Sequence, residues 1–221
     1  MNNQTFVIKA IFRQNLWFLI PYLVFLLLSS LFLSMNSQGD MVLLLDEHAQ
    51  TVWDWFFVFY THVGDGLFAS AAVLILLFIN KKEAFTLAIG LILTGLIAQL
   101  LKHTLGVAHA RPSAFFGGIH TFRDIEYLTR HLQHSMPSGH TASAFCLFFM
   151  LALMSEKKTY GYLFFVLAAL VALSRMYLAQ HFLADVVAGS FIGCTIGLTV
   201  YVLGNKWFAK PSWNKPLIKI G

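Results

Sequence analysis

Six apolar stretches, at 16–36, 66–80, 84–102, 140–154, 159–178 and 182–204, leave this chain few folds to choose from. A helix needs roughly 20 apolar residues to cross a bilayer. In hydrocarbon the backbone must also satisfy its own hydrogen bonds, which a helix does within one segment. The expected fold is therefore all-α, a bundle of six transmembrane helices. Two stretches, 66–80 and 140–154, are short, and the aromatic run "VWDWFFVFY" ahead of the first is expected to lengthen it. Composition agrees, with 58% of residues hydrophobic and only 11% charged, against about 25% charged in an ordinary soluble domain. No repeat array or low-complexity linker divides the chain, so a single domain over 1–221 is expected. The first stretch is longer than the apolar region of a secretory signal and no small-x-small site follows it, so it reads as a retained helix. Cys146 and Cys194 lie inside spans and read as small packing residues, not a disulfide framework.

Charge placement sets the expected orientation. The net charge of +5 is not one basic patch, and nucleic-acid binding is not expected. Lys9, Arg13, Lys81, Lys82, Lys157, Lys158, Lys206, Lys210, Lys215 and Lys219 all fall on one side of a six-span layout. The positive-inside rule makes that side cytoplasmic, with both termini there. The opposite loop, 37–65, carries Asp40, Asp46, Glu47, Asp54 and Asp65 and no Lys or Arg. Five basic residues break the pattern at the outer ends: Lys102, Arg111, Arg123, Arg130 and Arg175. Compactness and this asymmetry point to a multi-pass protein of a bacterial cytoplasmic (inner) membrane.

Three segments gather on that outer side: "KHTLGVAHARP" (102–112), "PSGH" (137–140) and "SRMYLAQHFLAD" (174–185). Topology thus brings Lys102, Arg111, Ser138, Gly139, His140, Arg175, His181 and Asp185 to one membrane face. Arginine's planar fork suits phosphate oxygens. Ser138 and Gly139 stand where a helix begins, so free backbone N–H groups and the positive end of the helix dipole point the same way, and Gly139 lets an anion approach closely. His181 and Asp185 are four residues apart and are expected to be neighbours on one helical face. A carboxylate on one ring nitrogen fixes the tautomer and frees the other nitrogen to attack. His140 then serves as general acid. No carboxylate cluster suggests a metal site, and no cofactor is expected; the arginines and lysine take that role.

These segments resemble the three-part signature of the type 2 phosphatidic acid phosphatase (PAP2) superfamily, which also includes vanadium haloperoxidases. "SRMYLAQHFLAD" matches its Ser-Arg-x5-His-x3-Asp pattern and "PSGH" its second part. The likeness runs from about residue 60 to 204. It implies a phosphohistidine on His181 supported by Asp185, His140 as acid, and Lys102, Arg111, Ser138, Gly139 and Arg175 around the phosphoryl group. The usual first part is Lys-x6-Arg-Pro, whereas eight residues separate Lys102 from Arg111 here, so the segment between them is expected to bulge.

The expected activity is metal-independent hydrolysis of a lipid phosphate or diphosphate presented from the bilayer. Phosphatidylglycerophosphate, phosphatidic acid, undecaprenyl diphosphate and lipid A phosphates all fit, and the sequence sets no oligomeric state. A lipid-to-lipid phosphotransferase, a vanadate haloperoxidase and a non-catalytic scaffold or transporter are the rival readings. The complete His-His-Asp set argues against the last. In the loop 103–137, His131 and His134 have an HxxH look, but no closed four-ligand zinc pattern accompanies them. That loop reads as a lid or substrate-recognition element, with Phe115, Phe116, Phe122 and Tyr127 against acyl or prenyl chains and Arg123 and Arg130 on head-group oxygens, or equally as a loop lying on the bilayer interface. Asp65 reads as a helix cap. Gly189, Gly193 and Gly197, at four-residue intervals, read as a close helix-packing stripe.

Overall fold

Each of the six apolar stretches forms a helix in the computed structural model, which describes residues 3–104 and 109–217. In chain order the helices are α1 (Asn3–Gln14), α2 (Leu16–Met35), α3 (Asp40–Glu47), α4 (Thr51–Tyr60), α5 (Gly66–Ile79), α6 (Lys81–Thr104), α7 (Pro112–Phe115), α8 (Gly139–Met154), α9 (Tyr160–Tyr177) and α10 (Leu183–Trp207). A 3₁₀ turn, Thr61–Gly64, joins α4 to α5. Every regular element among the described residues is helical.

Four helices, α2, α6, α9 and α10, are long and apolar enough to cross a membrane, and α4 with α5 makes a fifth if that pair is one broken span. The "VWDWFFVFY" run does not lengthen α5 in line. It forms α4, set at 55° to α5. The shorter α8 has 16 residues. Large apolar side chains stand bare on the outer helices, with Leu27 69%, Ile75 62% and Leu96 62% exposed. Such surfaces are stable against lipid and not against water. The chain is a multi-pass integral membrane protein.

The core is built around α8, which is buried nearly all round and packs on α10, α9 and α6. Hydrocarbon gives helices no hydrophobic reason to associate, so close packing has to hold them together. The glycine stripe supplies it. A Cβ on Gly193 would collide with the Ala142 carbonyl and lie 2.9 Å from the Cys146 nitrogen, and one on Gly189 would meet the Ser138 carbonyl. Only glycine lets α10 lie this near the backbone of α8. Both cysteines are buried thiols in this packing.

The bundle has two chemically different ends. Lys81 and Lys82 open α6, Lys157 and Lys158 lie between α8 and α9, and Lys206 ends α10. The C-terminal segment folds back onto the same end, where the Lys81 N–H donates to the Lys215 carbonyl and the Leu217 N–H to that of Leu77. Lys219 lies outside the described residues. At the other end come the last turn of α6, the start of α8 and the turn from α9 to α10.

Candidate active site

Helix α8 begins at that second end because Ser138 caps it. Its Oγ accepts from the Thr141 N–H at 3.4 Å and from the Thr141 hydroxyl at 2.9 Å. The Ser138 N–H donates to the Asp185 carbonyl, tying α8 to α10. Beside this start, Lys102, Arg111, Gly139, His140, Arg175 and His181 line one cavity of about 630 Å³. Lys102 lies at the C-terminal end of α6, and a methyl group on Gly139 would stand 3.8 Å from its ammonium nitrogen. The lysine therefore reaches the site despite its long spacing from Arg111. Residues 105–108 of the segment expected to bulge lie outside the described residues.

The two arginines are held by different partners. Arg111 donates from Nε to the Gln133 carbonyl at 3.0 Å and from Nη1 to Gln180 Oε1 at 2.9 Å. Arg175 donates from Nη1 to Thr61 Oγ1 at 2.7 Å, and its buried Nε has no hydrogen-bond partner. Fixed guanidinium groups so placed bind an anion at little further entropic cost.

His181 is 1% exposed and presents its Nδ1 to Asp185 Oδ2 at 3.5 Å. That is an ion-pair separation without hydrogen-bond geometry, and Nδ1 is otherwise unpartnered. The two residues do not share a helical face, contrary to the sequence expectation. His181 lies in the turn before α10, and Asp185 is the third residue of that helix. They meet because the Asp185 carboxylate turns back to accept the Phe182 N–H at 2.8 Å, one half of a capping box. The Ser135 hydroxyl also donates to this Oδ2, at 2.5 Å. Burial, with Arg175 and Arg111 nearby, pushes the His181 ring down to about 3, so the ring is neutral at ordinary pH.

Four residues the sequence did not single out shape the site: Ser135 behind Asp185, Gln180 on Arg111, Thr61 on Arg175, and His62. The sequence reading of Asp65 as a cap needs correction. It stands at the N-cap of α5 but makes no side-chain capping bond. Its carboxylate instead pairs with His140 Nε2 at 2.5 Å and His62 Nδ1 at 2.6 Å.

The lid reading of the outer loop also changes in part. Arg123 does not face a head group; it donates to Asp46 at 3.0 Å and twice to Asp54, at 2.7 and 2.9 Å, and Arg130 donates to the Arg123 carbonyl. These bonds fasten the loop to α3 and α4. Phe116 packs against the core and Phe122 lies in it. Phe115 and Tyr127 are exposed, and Tyr127, Leu128 and Thr129 line the cavity. Among the described residues no three His, Cys, Asp or Glu side chains are grouped as metal ligands.

Comparison with known proteins places this arrangement. The PAP2 superfamily model matches residues 83–209. The chain belongs to the PAP2 superfamily. It is 31% identical over 146 residues to a PA-phosphatase related-family protein of Dictyostelium discoideum, covering 59% of this chain and 54% of that one. It is 28% identical over 172 residues to the lipid A 4'-phosphatase of Porphyromonas gingivalis, covering 76% and 72%. The crystal structure of the PAP2 type phosphatidylglycerolphosphate phosphatase of Bacillus subtilis superposes with a TM-score of 0.64 at 23% identity, over 84% of this chain and 94% of that one. That last likeness establishes the fold. The chain spans about half the length of two curated relatives that it matches, 54% and 49%.

Proposed function

We propose that this protein is a metal-independent lipid phosphate phosphohydrolase working through a phosphohistidine on His181. The observation that carries the reading is His181 at the wall of a cationic cavity, its Nδ1 turned to Asp185, with Lys102, Arg111 and Arg175 around the same space. With Nδ1 facing Asp185, Nε2 attacks phosphorus in line, and the bond from phosphorus to the lipid oxygen breaks as His140 gives that oxygen a proton. Water then attacks the phosphohistidine, losing its proton to His140, and phosphate leaves with both histidines restored. Lys102, Arg111, Arg175 and the Gly139 N–H hold the phosphoryl oxygens as charge develops on them, whereas Ser138, expected from the sequence to offer a free N–H, gives it to the Asp185 carbonyl and supports the cradle only as the cap of α8.

Gly95, Leu96 and Gln99 of α6 line the cavity, and Leu96 is exposed on the helix surface. This supports a lipid whose phosphate enters from the side while its chains stay in the bilayer. The same reading takes residues 1–221 as one domain of six spans, both termini cytoplasmic, the site on the outer face of a bacterial inner membrane. The names of the relatives make phosphatidic acid, phosphatidylglycerophosphate and lipid A type phosphates the first substrates to try, ahead of undecaprenyl diphosphate.

The test is phosphate release by the detergent-purified protein, with EDTA present, on those four lipid classes, beside His181→Gln. Release from one class that vanishes in the variant is the expected result. Equal release by His181→Gln would remove the nucleophile assignment, and release that needs an acceptor lipid would make the protein a transferase.

A further inference from the structure

The turn "THVGDG", residues 61–66, grips the site from a side the catalytic signature does not cover. Thr61 holds Arg175 and Asp65 holds His140. The approach is close: a Cβ on Gly64 would lie 2.9 Å from both the Cβ and the carbonyl oxygen of His140, and 2.8 Å from Val171 Cγ1. Glycine at 64 therefore lets the turn lie against the first residues of α8, which brings Asp65 within reach of the His140 ring. His62, 66% exposed, holds the carboxylate from the solvent side.

We propose that Asp65 is a positioning residue that orients His140 and strengthens its hold on the proton it gives as the acid of the reaction. This rests on the phosphohydrolase reading above. The charges around His140 explain why a carboxylate is needed. Lys102 comes from α6, Arg175 from α9, Arg111 and His131 from the outer loop, and His181 from the turn before α10, all lining the same cavity. Three of these are fixed cations that oppose a charged imidazole. Asp185 is turned to His181, Ser135 and Phe182. Asp65 is left as the carboxylate in contact with His140. With one ring N–H given to Asp65, the imidazolium's other N–H is available to the leaving oxygen. His62, joined to the far carboxylate oxygen, keeps Asp65 from turning away to solvent.

The experiment compares wild type with Asp65→Asn, Asp65→Glu and His62→Gln, full-length in detergent micelles. Asp65 makes no side-chain capping bond, so the near-isosteric first variant removes charge without costing α5 a cap. Phosphate release from the preferred lipid gives kcat/KM against pH, whose alkaline limb reports the acid of the free enzyme. Substrate ionisation is common to all four proteins. Asp65→Asn is expected to move that limb to lower pH by about one unit or more, with KM little changed. Asp65→Glu should restore part of the displacement, and His62→Gln should show a smaller one in the same direction. A uniform loss at every pH, or an unchanged limb, overturns the proposal.

A second readout does not depend on turnover. In ¹⁵N-histidine-labelled protein the His140 ring, identified by its loss in His140→Gln, should titrate at lower pH in Asp65→Asn than in wild type. The same midpoint in both overturns the proposal. Wild-type protein that releases no phosphate, yet shows the displaced midpoint, refutes the phosphohydrolase reading and leaves the Asp65–His140 coupling established.

Discussion

The backbone N–H of His181 donates to the carbonyl of Arg175 at 3.1 Å, so the proposed nucleophile hangs from the residue whose guanidinium lines the same cavity. The Gln180 N–H shares that carbonyl at 2.9 Å, and the Ala179 N–H donates to Met176 at 3.0 Å. Together these bonds close α9 in a Schellman turn. The five residues between Arg175 and His181 are what such a turn needs to return the chain to the helix end. Side-chain geometry across the cavity is thus fixed by a local backbone motif.

That motif has an unusual residue at its hinge. Ala179 sits at φ 50, in the left-handed region usually given to glycine. Ala179→Gly should therefore keep full phosphate release and stabilise the protein by about 1 kcal/mol, the cost of an L side chain in this conformation less glycine's extra backbone entropy. Ala179→Val should lower both stability and turnover. The thermal midpoint in detergent and phosphate release on one lipid check the pair, and a lower midpoint for the glycine variant would contradict the account.

How legible all this was in the sequence follows from distance along the chain. The helices were readable because apolar length alone dictates them, and the Arg175–His181 spacing because a turn is local. The kink that makes α4 a separate helix was not readable, since an aromatic run looks the same straight or bent. The His181–Asp185 pair was expected for the wrong reason, because i,i+4 spacing suggests a helical face even where the first residue precedes the helix. Thr61, Asp65, Ser135 and Gln180 carry no local signal. Asp65 has the residue type and position of a cap, and only the arrival of α8 against Gly64 turns its carboxylate to His140.

Ser135 illustrates the same point and is testable. Its hydroxyl donates to Asp185 Oδ2, the oxygen nearest His181 Nδ1. A hydrogen bond to a charged group contributes about 1.5–3 kcal/mol, so Ser135→Ala should cost roughly tenfold to a hundredfold in kcat if the carboxylate is fully engaged only in the transition state. KM should change little, because Ser135 does not line the cavity. A loss confined to KM would argue that Ser135 shapes binding instead.

The pH behaviour of His181 has a definite sign. Its folded value, about 3, lies below the ordinary imidazole value of about 6.5, with burial as the main cause. Between those values the unfolded chain binds a proton that the folded protein does not, so stability is complete above about pH 6.5 and declines as pH falls towards 3. The thermal midpoint should accordingly fall from pH 7 to pH 4, and less steeply in His181→Gln. For the same reason kcat/KM should show no acid limb from His181 between about pH 5 and 7, since the ring is already neutral there. Equal slopes in wild type and variant would detach the stability profile from this histidine.

The glycine stripe on α10 offers a contrast within one helix. At Gly193 an added Cβ meets backbone, the Ala142 carbonyl and the Cys146 nitrogen, neither of which can move without shifting α8. At Gly197 the nearest atom is Met150 Cγ at 3.2 Å, on a flexible side chain that can turn aside. Gly193→Ala should therefore cost about 1–3 kcal/mol, the usual price of overpacking, and Gly197→Ala well under about 1 kcal/mol. Because α10 carries Asp185 and follows directly on His181, Gly193→Ala should also depress phosphate release even where the protein still folds. Thermal midpoints and kcat for the two variants decide the matter, and equal effects at 193 and 197 would mean that the α8–α10 contact does not set the geometry of the site.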